Sequence, residues 1–424
     1  MTEHELAAVI GIDWADREHE ISLHDTTSHV IEHQRIAQTP EAIDAWVAQL
    51  KRRFGQRPVG IALETSRGPL IHALLGYDGL VLYPVNPRSL QRFRETFAPS
   101  GAKADSPDAD FLRELLLKHR ERLRPWQPDA VELRALRGFV EGRRKAVDLC
   151  TKLTQQERAV LKDYFPQVLE WVGDDLSSGL ACDFLLQWPT LAAVQQASRG
   201  ELRTFYTAHH CRRRDLIEAR IRAMRAARPL TQDPALIEPS ALMVQTLAEQ
   251  IKTLGTRIAQ WEAEITRRFA AHADAELFSA LPGSGAALAP RLLVIFGADR
   301  TRFPAAADVQ QFSGIAPVTT QSGRSRQVQW RWSAPRFIRQ TFQEFAHHSI
   351  RHSPWARAYY ASQRARGKTH HEAVRALAFK WIRIIWRCWQ ERTPYDEARY
   401  IRALALRGSP ITARLVTQPV ANAA

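Results

Sequence analysis

The first 120 residues switch between two hydrophobic periods, and that alternation confines this part of the chain to a layered α/β sheet. Leu6–Asp13 (LAAVIGID) is a short apolar run suited to a buried central strand. His19–Asp25 and Ser28–Ile36 follow as two more strands, with a turn at Thr26-Thr27. Pro40–Phe54 puts Ile43, Trp46, Val47 and Leu50 on one helical face. Val59–Leu63 (VGIAL) and Leu80–Val85 (LVLYPV) are further buried strands. A helix from Ser106-Pro107 through Lys118 starts with Ser106 as N-cap and Pro107 as its first helical residue.

Three antiparallel strands followed by alternating helices and strands match an RNase H-like α/β fold. The remainder is mostly helical. Val244, Leu247, Ile251, Leu254, Ile258, Trp261 and Ile265 keep a/d spacing through three heptads, which predicts a coiled-coil seam. Phe165-Pro166, Trp188-Pro189 and Pro229–Pro239 divide the surrounding helices. Later come the turns Leu281–Gly285, Gly314–Pro317 and Gln321–Gly323, a helix over 335–350 and an amphipathic helix over 371–389. The expected organisation is multidomain α/β plus α. It comprises an α/β domain over 1–125, a helical coiled-coil arm over 126–275, a mainly α domain over 276–400 and a mobile tail over 401–424.

Charge separates these regions. The chain has 59 Lys and Arg against 45 Asp and Glu, a formal net charge of +14. From residue 276 onward 22 basic residues face 8 acids, so the first 275 residues carry 37 of each sign. An excess confined to one region points to a polyanion, nucleic acid before membrane, because each phosphate neutralised releases a counterion. An arginine-rich codon bias would have enriched both parts equally. Cys150, Cys182, Cys211 and Cys388 are isolated, which supports neither a zinc site nor a disulfide framework. The start MTEHELAAVIGID lacks a basic segment before its apolar run, so no signal peptide is expected. No run approaches the roughly 20 apolar residues of a membrane span, and the expectation is a cytoplasmic protein.

Four acids sit where element ends can converge. Asp13 ends the first strand, Glu64 ends the fourth, Asp105 precedes a helix and Asp108 lies in its first turn. Mg²⁺ takes hard oxygen ligands, commonly a few carboxylates plus substrate phosphate, and two such ions can stabilise a phosphoryl displacement. Each acid also has a plain structural reading, as a turn residue or as a partner of the helix dipole. Asp110 falls on another helix face and reads as solvated, whereas Asp16, Glu20 and Asp25 stay available.

Ser322 lies in a polar loop between Gln321 and Gly323, with Arg324 and Arg326 close by. A serine hydroxyl attacks phosphate only when a base or metal activates it, and nearby cations offset the developing charge. Ser-Gly is equally an ordinary turn. The Pro282–Gly285 turn resembles a helix-hairpin-helix element, in which Gly283 and Gly285 would let backbone N–H groups approach a phosphate. It can equally be a plain helix connection. Arg324, Arg326, Arg331, Arg336 and Arg339 interleave with Trp330 and Trp332. The guanidiniums suit phosphates, while Val328, Trp330 and Trp332 read as one buried face of a strand.

Gly11-Ile12-Asp13, Leu63-Glu64 and Lys103–Ala109 (KADSPDA) resemble the DEDD motif of the RuvC-like domain in the IS110 family of insertion-sequence transposases. Leu281–Gly285, Gly314–Pro317 and Gln321–Gly323 are similar to that family's C-terminal transposase domain, and Tyr359-Tyr360, Arg366–Lys368 and Pro394–Asp396 to its later landmarks. The resemblance runs from about residue 6 to 396. Ala104, where a polar residue is usual, and the length of region 121–275 depart from it. The resemblance implies a DNA recombinase in which Asp13, Glu64, Asp105 and Asp108 hold Mg²⁺. In it Ser322 attacks the phosphodiester to form a covalent phosphoserine link. It further implies DNA ends and target as partners, a structured guide RNA in some members, and a homo-oligomer formed through the coiled coil. Two alternatives stand beside it. One is a junction-resolving Mg²⁺ endonuclease that uses water, and the other a non-catalytic nucleic-acid-binding regulator. Tyr359 or Tyr360 as the nucleophile is a lesser option.

Overall fold

A computed structural model describes residues 5–64, 68–97, 108–323, 325–331 and 334–416. The chain divides into two units, Met1–Pro128 and Asp129–Ala424. The first is built on a five-stranded sheet of order β3-β2-β1-β4-β5. Its strands are β1 Ala8–Asp13, β2 Glu18–Asp25, β3 Ile31–Ala37, β4 Val59–Leu63 and β5 Leu80–Pro84. The first three pair antiparallel, as the sequence pattern predicts, and β1–β4 and β4–β5 pair parallel.

Strand alternation then assigns each residue to a face. Ile10 and Ile12 of β1 and Ile61 and Leu63 of β4 join one core with Trp46, Val47 and Leu50 of α1 (Pro40–Phe54) and Ile71 of α2 (Pro69–Leu74). Val9 and Ala62 face the other way, into a core with Leu90 of α3 (Pro87–Phe97) and Leu112 and Leu116 of α4 (Asp108–His119). Gly11 is on that second face. A Cβ there would lie 1.9 Å from the Ala109 carbonyl oxygen and 2.5 Å from the Arg113 amide nitrogen, so the missing side chain is what lets α4 rest directly on β1.

Residue Asp110 corrects the sequence reading, because it is not solvated. Its Oδ1 accepts from Ser22 Oγ at 2.5 Å, and His33 Nε2 and Arg113 Nη2 stand 2.9 and 3.2 Å from the same oxygen. These contacts tie the first turn of α4 to β2 and β3.

The second unit begins with α5 (Val131–Tyr164) and returns along α11 (Pro234–Ala270), the two running antiparallel. Between them lie α6 (Val168–Val172), α7 (Gly179–Gln187), α8 (Leu191–Gln196), α9 (Arg199–Ala208) and α10 (Arg214–Ala226). Along the heptad seam of α11, Val244, Leu247, Ile251 and Ile265 are buried within the chain, and Leu254, Ile258 and Trp261 are half-buried. Val244 packs in the α6–α10 core, Ile251 against Cys150 and Cys182, Trp261 against Phe139, and Ile265 in the following core. The a/d pattern therefore specifies an intrachain helix pair, with α5 as its partner.

One residue of α5 runs against its surroundings. Glu157 is fully buried, and among the described residues neither carboxylate oxygen has a hydrogen-bond partner. Burial pushes its pKa from 4.5 up to about 8. Below the ordinary value both folded and unfolded chains hold the proton. As pH rises toward about 8 the unfolded chain ionises first, so stability falls across that window. Glu157→Leu is expected to remove this dependence and add about 1–4 kcal/mol near pH 8, because an unpaired buried carboxylate is replaced by packing. Urea melts of both proteins at about pH 5 and pH 8 check it; a wild-type curve that does not change between them would refute the assignment.

The rest of the unit comprises α12 (Ala275–Ser279), α13 (Gly285–Phe296), α14 (Ala306–Phe312), the hairpin β6 (Val318–Ser322) and β7 (Ser325–Gln329), α15 (Arg336–His352), α16 (Pro354–Ala365) and α17 (His370–Glu391). Trp355, Trp381 and Trp389 are fully buried with Phe296, Phe342 and Phe345. Each indole N–H finds an acceptor: Tyr395 Oη at 2.6 Å, Ser349 Oγ at 2.8 Å and the Gly297 carbonyl at 2.9 Å, as burial of a polar group demands. Of the tail over 401–424, residues 417–424 lie outside the described residues. α18 (Glu397–Leu406) and α19 (Pro410–Val416) carry it in helix to Val416, and Tyr400, Ile401, Leu404 and Leu415 pack on this core.

Candidate active-site residues

Register places the first two acids. Ile12 of β1 is opposite Leu63 of β4, so Asp13 and Glu64 follow at the carboxyl ends of two hydrogen-bonded parallel strands. Alternation past Ile12 and Leu63 turns both toward the face covered by α4, whose first residue is Asp108. The three charges register on one another. Burial raises the Asp13 pKa, and repulsion from Asp108 and then Glu20 raises it further, while His19 opposes. Burial likewise raises Glu64, followed by repulsion from Asp108 and Asp13, with Arg94 opposing.

Arg94 of α3 was not singled out from the sequence. Its Nη1 donates to both Asp108 oxygens, at 3.0 and 3.3 Å, and so holds that carboxylate at the helix start. The only hint in the sequence was an arginine on the polar side of an amphipathic helix, which is too common to notice. His19 was missed as well. It is fully buried, accepts from the Ala15 amide at 3.2 Å and pairs with Gln38, which fixes the turn after Asp13.

Asp105, Ser106 and Pro107 lie outside the described residues. Among the described residues no three His, Cys, Asp or Glu side chains gather into a metal-holding group. The donor chemistry nevertheless suits a hard divalent cation. Three carboxylates, two at strand ends and one at the start of α4, repel one another, and a Mg²⁺-type ion takes carboxylate oxygens and relieves that repulsion.

Ser322 ends β6 and pairs with Ser325 of β7 across a tight turn. Gly323 supplies its positive φ of 56°, the conformation required at the first position of a two-residue hairpin loop. The hairpin is exposed over residues 319–323, so Ser322 is carried at the tip of a projecting ribbon. Arg324 and Trp332 lie outside the described residues, and for Arg326 only the backbone, within β7, is described.

Val328 corrects the expected buried strand face, being 62% exposed. Trp330 ends the ribbon between two guanidiniums, with Arg375 at 3.7 Å and Arg339 at 5.2 Å from its ring centroid. Arg339 also donates to the carbonyls of Arg331 and Ala334, at 2.9 and 3.1 Å. It thus fastens the base of the hairpin rather than standing open to a phosphate. Arg336 is exposed and Arg331 half-buried.

The Pro282–Gly285 turn is explained at least in part by packing. Gly283 has φ 80°, and a Cβ there would meet His352 at 3.0 Å and the His348 backbone at 3.1 Å. The turn leads into α13, which is buried on all sides from Leu288 to Phe296. Gly285, with φ 53° and open space where a Cβ would point, opens that helix. Of the two tyrosines, Tyr359 packs against Trp355. Tyr360 Oη lies 2.8 Å from His370 Nδ1.

No helix among the described residues is long and apolar enough to cross a membrane. Two family models match the chain: a DEDD transposase model over residues 10–166 and a model of the IS116/IS110/IS902 transposase family over residues 275–361, together more than half of its length. The chain is 27% identical to a mini-circle protein of Streptomyces coelicolor named as a candidate transposase for IS117, over 94% of this chain and 98% of that protein. It is also 27% identical to a 42 kDa protein of insertion element IS900 from Mycobacterium paratuberculosis, over 92% and 97%. A 43.6 kDa protein of insertion element IS110 from Streptomyces coelicolor is 28% identical over 82% and 85%.

Proposed function

The chain belongs to the IS110 family of transposases, enzymes of DNA recombination, and from that premise we propose how its residues divide the reaction. Asp13, Glu64 and Asp108, with Asp105, form the metal-holding half of an RNase H-like, RuvC-like domain, and Ser322 supplies the attacking oxygen. The observation that carries this is the placement of Asp13 and Glu64 at the ends of paired parallel strands, on the face where α4 presents Asp108.

Mg²⁺, singly or as a pair, would supply charge neutralisation at the phosphate under attack. The chain's own residues do the rest. Asp13 and Glu64 would hold the cation through their carboxylates, and Arg94 keeps Asp108 from swinging away. The Ser322 oxygen forms a bond to phosphorus as the strand's own P–O bond breaks, and the leaving sugar oxygen takes up the proton. Reversal of that step with a different strand end completes exchange without loss of bond energy. Exposed Arg336 and the flanking Arg324, Arg326 and Arg331 would contact the DNA backbone, and Gly283 and Gly285 would bring backbone N–H groups near it.

The DNA substrates are the element's ends and its target, and a structured guide RNA would select them. Strand exchange between two ends calls for more than one copy of the protein. That assembly would draw on the α11 coiled coil, along which Leu254, Ile258 and Trp261 are only half-buried beside α5. The test is excision or integration of a marked element in cells. Ser322→Ala is expected to abolish exchange while leaving expression and DNA binding unchanged. Wild-type exchange by that variant would overturn the role of Ser322.

A further inference from the structure

The first 275 residues carry equal numbers of acids and bases, but that balance hides a local excess. Residues 199–228, spanning α9 and α10, contain nine Arg, no Lys and only three acids, Glu201, Asp215 and Glu218. Two of these arginines serve the fold. Arg220 stacks over Tyr206 at 5.2 Å, and Arg225 donates to the carbonyls of Gln195 and Ala197.

Others gather outside. Ile217, Ile221 and Met224 of α10 and Leu202 and Tyr206 of α9 are buried, which turns Arg199, Arg203 and Arg222 to solvent. Glu218 pairs with Arg203 and links the two helices. The same carboxyl is held below its ordinary pKa by that pairing first, and then by the charges of Arg199 and Arg222. Arg203 is paired with this carboxylate, and Arg199 and Arg222 lie exposed on the same two helices within electrostatic reach of it. Among the described residues, Arg199 and Arg222 make no hydrogen bond, ion pair or ring contact of their own.

Glu218 offsets only one of the three charges, and the remaining excess of like charge is relieved when a further anion joins it. We infer that the α9–α10 arginine face is a second nucleic-acid contact, binding the phosphodiester backbone of duplex DNA or of a folded RNA. The geometry suits a backbone. Arg199 and Arg203 are one helical turn apart, about 6 Å along the axis, close to two strand steps of roughly 3.4 Å. Guanidinium forks also match phosphate oxygens in pairs, which ammonium groups do not. The inference is independent of Ser322 and of the carboxylates, because it concerns binding in a different part of the chain.

Anisotropy titrations of the full-length protein with a short duplex DNA and with an RNA hairpin, each of arbitrary sequence and over a range of salt, test it. The combined Arg199→Ala, Arg203→Ala, Arg222→Ala variant is expected to bind about tenfold or more weakly at moderate salt. Its log–log salt slope should fall by about 2–3, near one per lost phosphate contact. The corresponding triple Lys variant should keep most of the slope. Loss on the duplex alone identifies DNA as the source of the phosphates, loss on the hairpin alone identifies RNA, and equal loss identifies the shared backbone. An unchanged Kd and slope on both probes, with an unchanged melting curve, would overturn the inference. So would a loss confined to binding of an acidic polypeptide such as polyglutamate.

Discussion

Asp13→Asn and Glu64→Gln are each expected to slow strand exchange by about a thousandfold or more and, in the same protein without metal, to raise the thermal transition. The first effect follows from the size of preorganised electrostatic contributions. Removing one group that stabilises developing charge typically costs about 10²–10³ in rate, and a lost metal ligand removes the ion's share as well. The second effect follows from the raised pKa values. Burial and mutual repulsion with Asp108 make both carboxylates costly to ionise in the folded state. For acids raised in this way, stability is fully present below the ordinary carboxylate range and is lost as pH rises through the folded value. An amide removes that penalty, which solvent screening keeps modest at these half-exposed groups, and the difference from wild type should vanish below about pH 4. Added Mg²⁺ should stabilise the wild type and leave the variants little changed, since a ligand stabilises only the state that binds it. Scanning calorimetry with and without Mg²⁺, beside an exchange assay, reads all three. Variants that melt below wild type at neutral pH would show these acids to be structural.

Gly11→Ala is expected to be the most damaging single methyl in the first unit. The new Cβ would stand 1.9 Å from a backbone carbonyl oxygen of α4, and backbone cannot turn aside as a side chain end can. Relief requires α4 to lift from β1. That breaks the packing of Leu112 and Leu116 against Val9 and Ala62 and the anchoring of Asp110 to Ser22. Overpacking of this kind costs about 1–3 kcal/mol and sometimes more, and a site on the lifted helix moves with it. Asp108 would leave the strand ends, so Mg²⁺ stabilisation should disappear along with a few kcal/mol measured by urea melts. A melt within error of wild type would mean that α4 does not rest on β1 at this point.

The first unit was legible because β1, β4 and β5 are short apolar runs bounded by turn residues, so strand order could be read, whereas β3 is mostly exposed and its start was read three residues early. Asp13 and Glu64 were legible for the same reason, since strand ends are visible in a sequence. Contacts that depend on tertiary proximity were not. Asp110 looked solvated because its partners Ser22 and His33 lie 88 and 77 residues away. Arg94 became meaningful only once α3 and α4 were side by side. The α11 heptads announced a helical partner but could not say whose, and α5 in the same chain has the length to supply it. Ser322 shows the reverse. Its hairpin has no buried face to leave a hydrophobic signature, so its importance came from family resemblance and not from periodicity. The α9–α10 arginines were hidden by summing charge over 275 residues, which averaged a basic patch against acids elsewhere.

The most direct test of the central claim is the chemical identity of the link between protein and DNA. Incubating the full chain with Mg²⁺ and an end of its element, trapping the product under denaturing conditions and mapping it by mass spectrometry after proteolysis would locate the bond. A nucleotide attached through phosphate to the peptide containing Ser322, absent from Ser322→Ala and from Asp13→Asn, is the predicted result. Cleaved ends with no attached peptide would indicate hydrolysis by water at the carboxylates, and a link at Tyr359 or Tyr360 would move the nucleophile to α16; either would contradict the account.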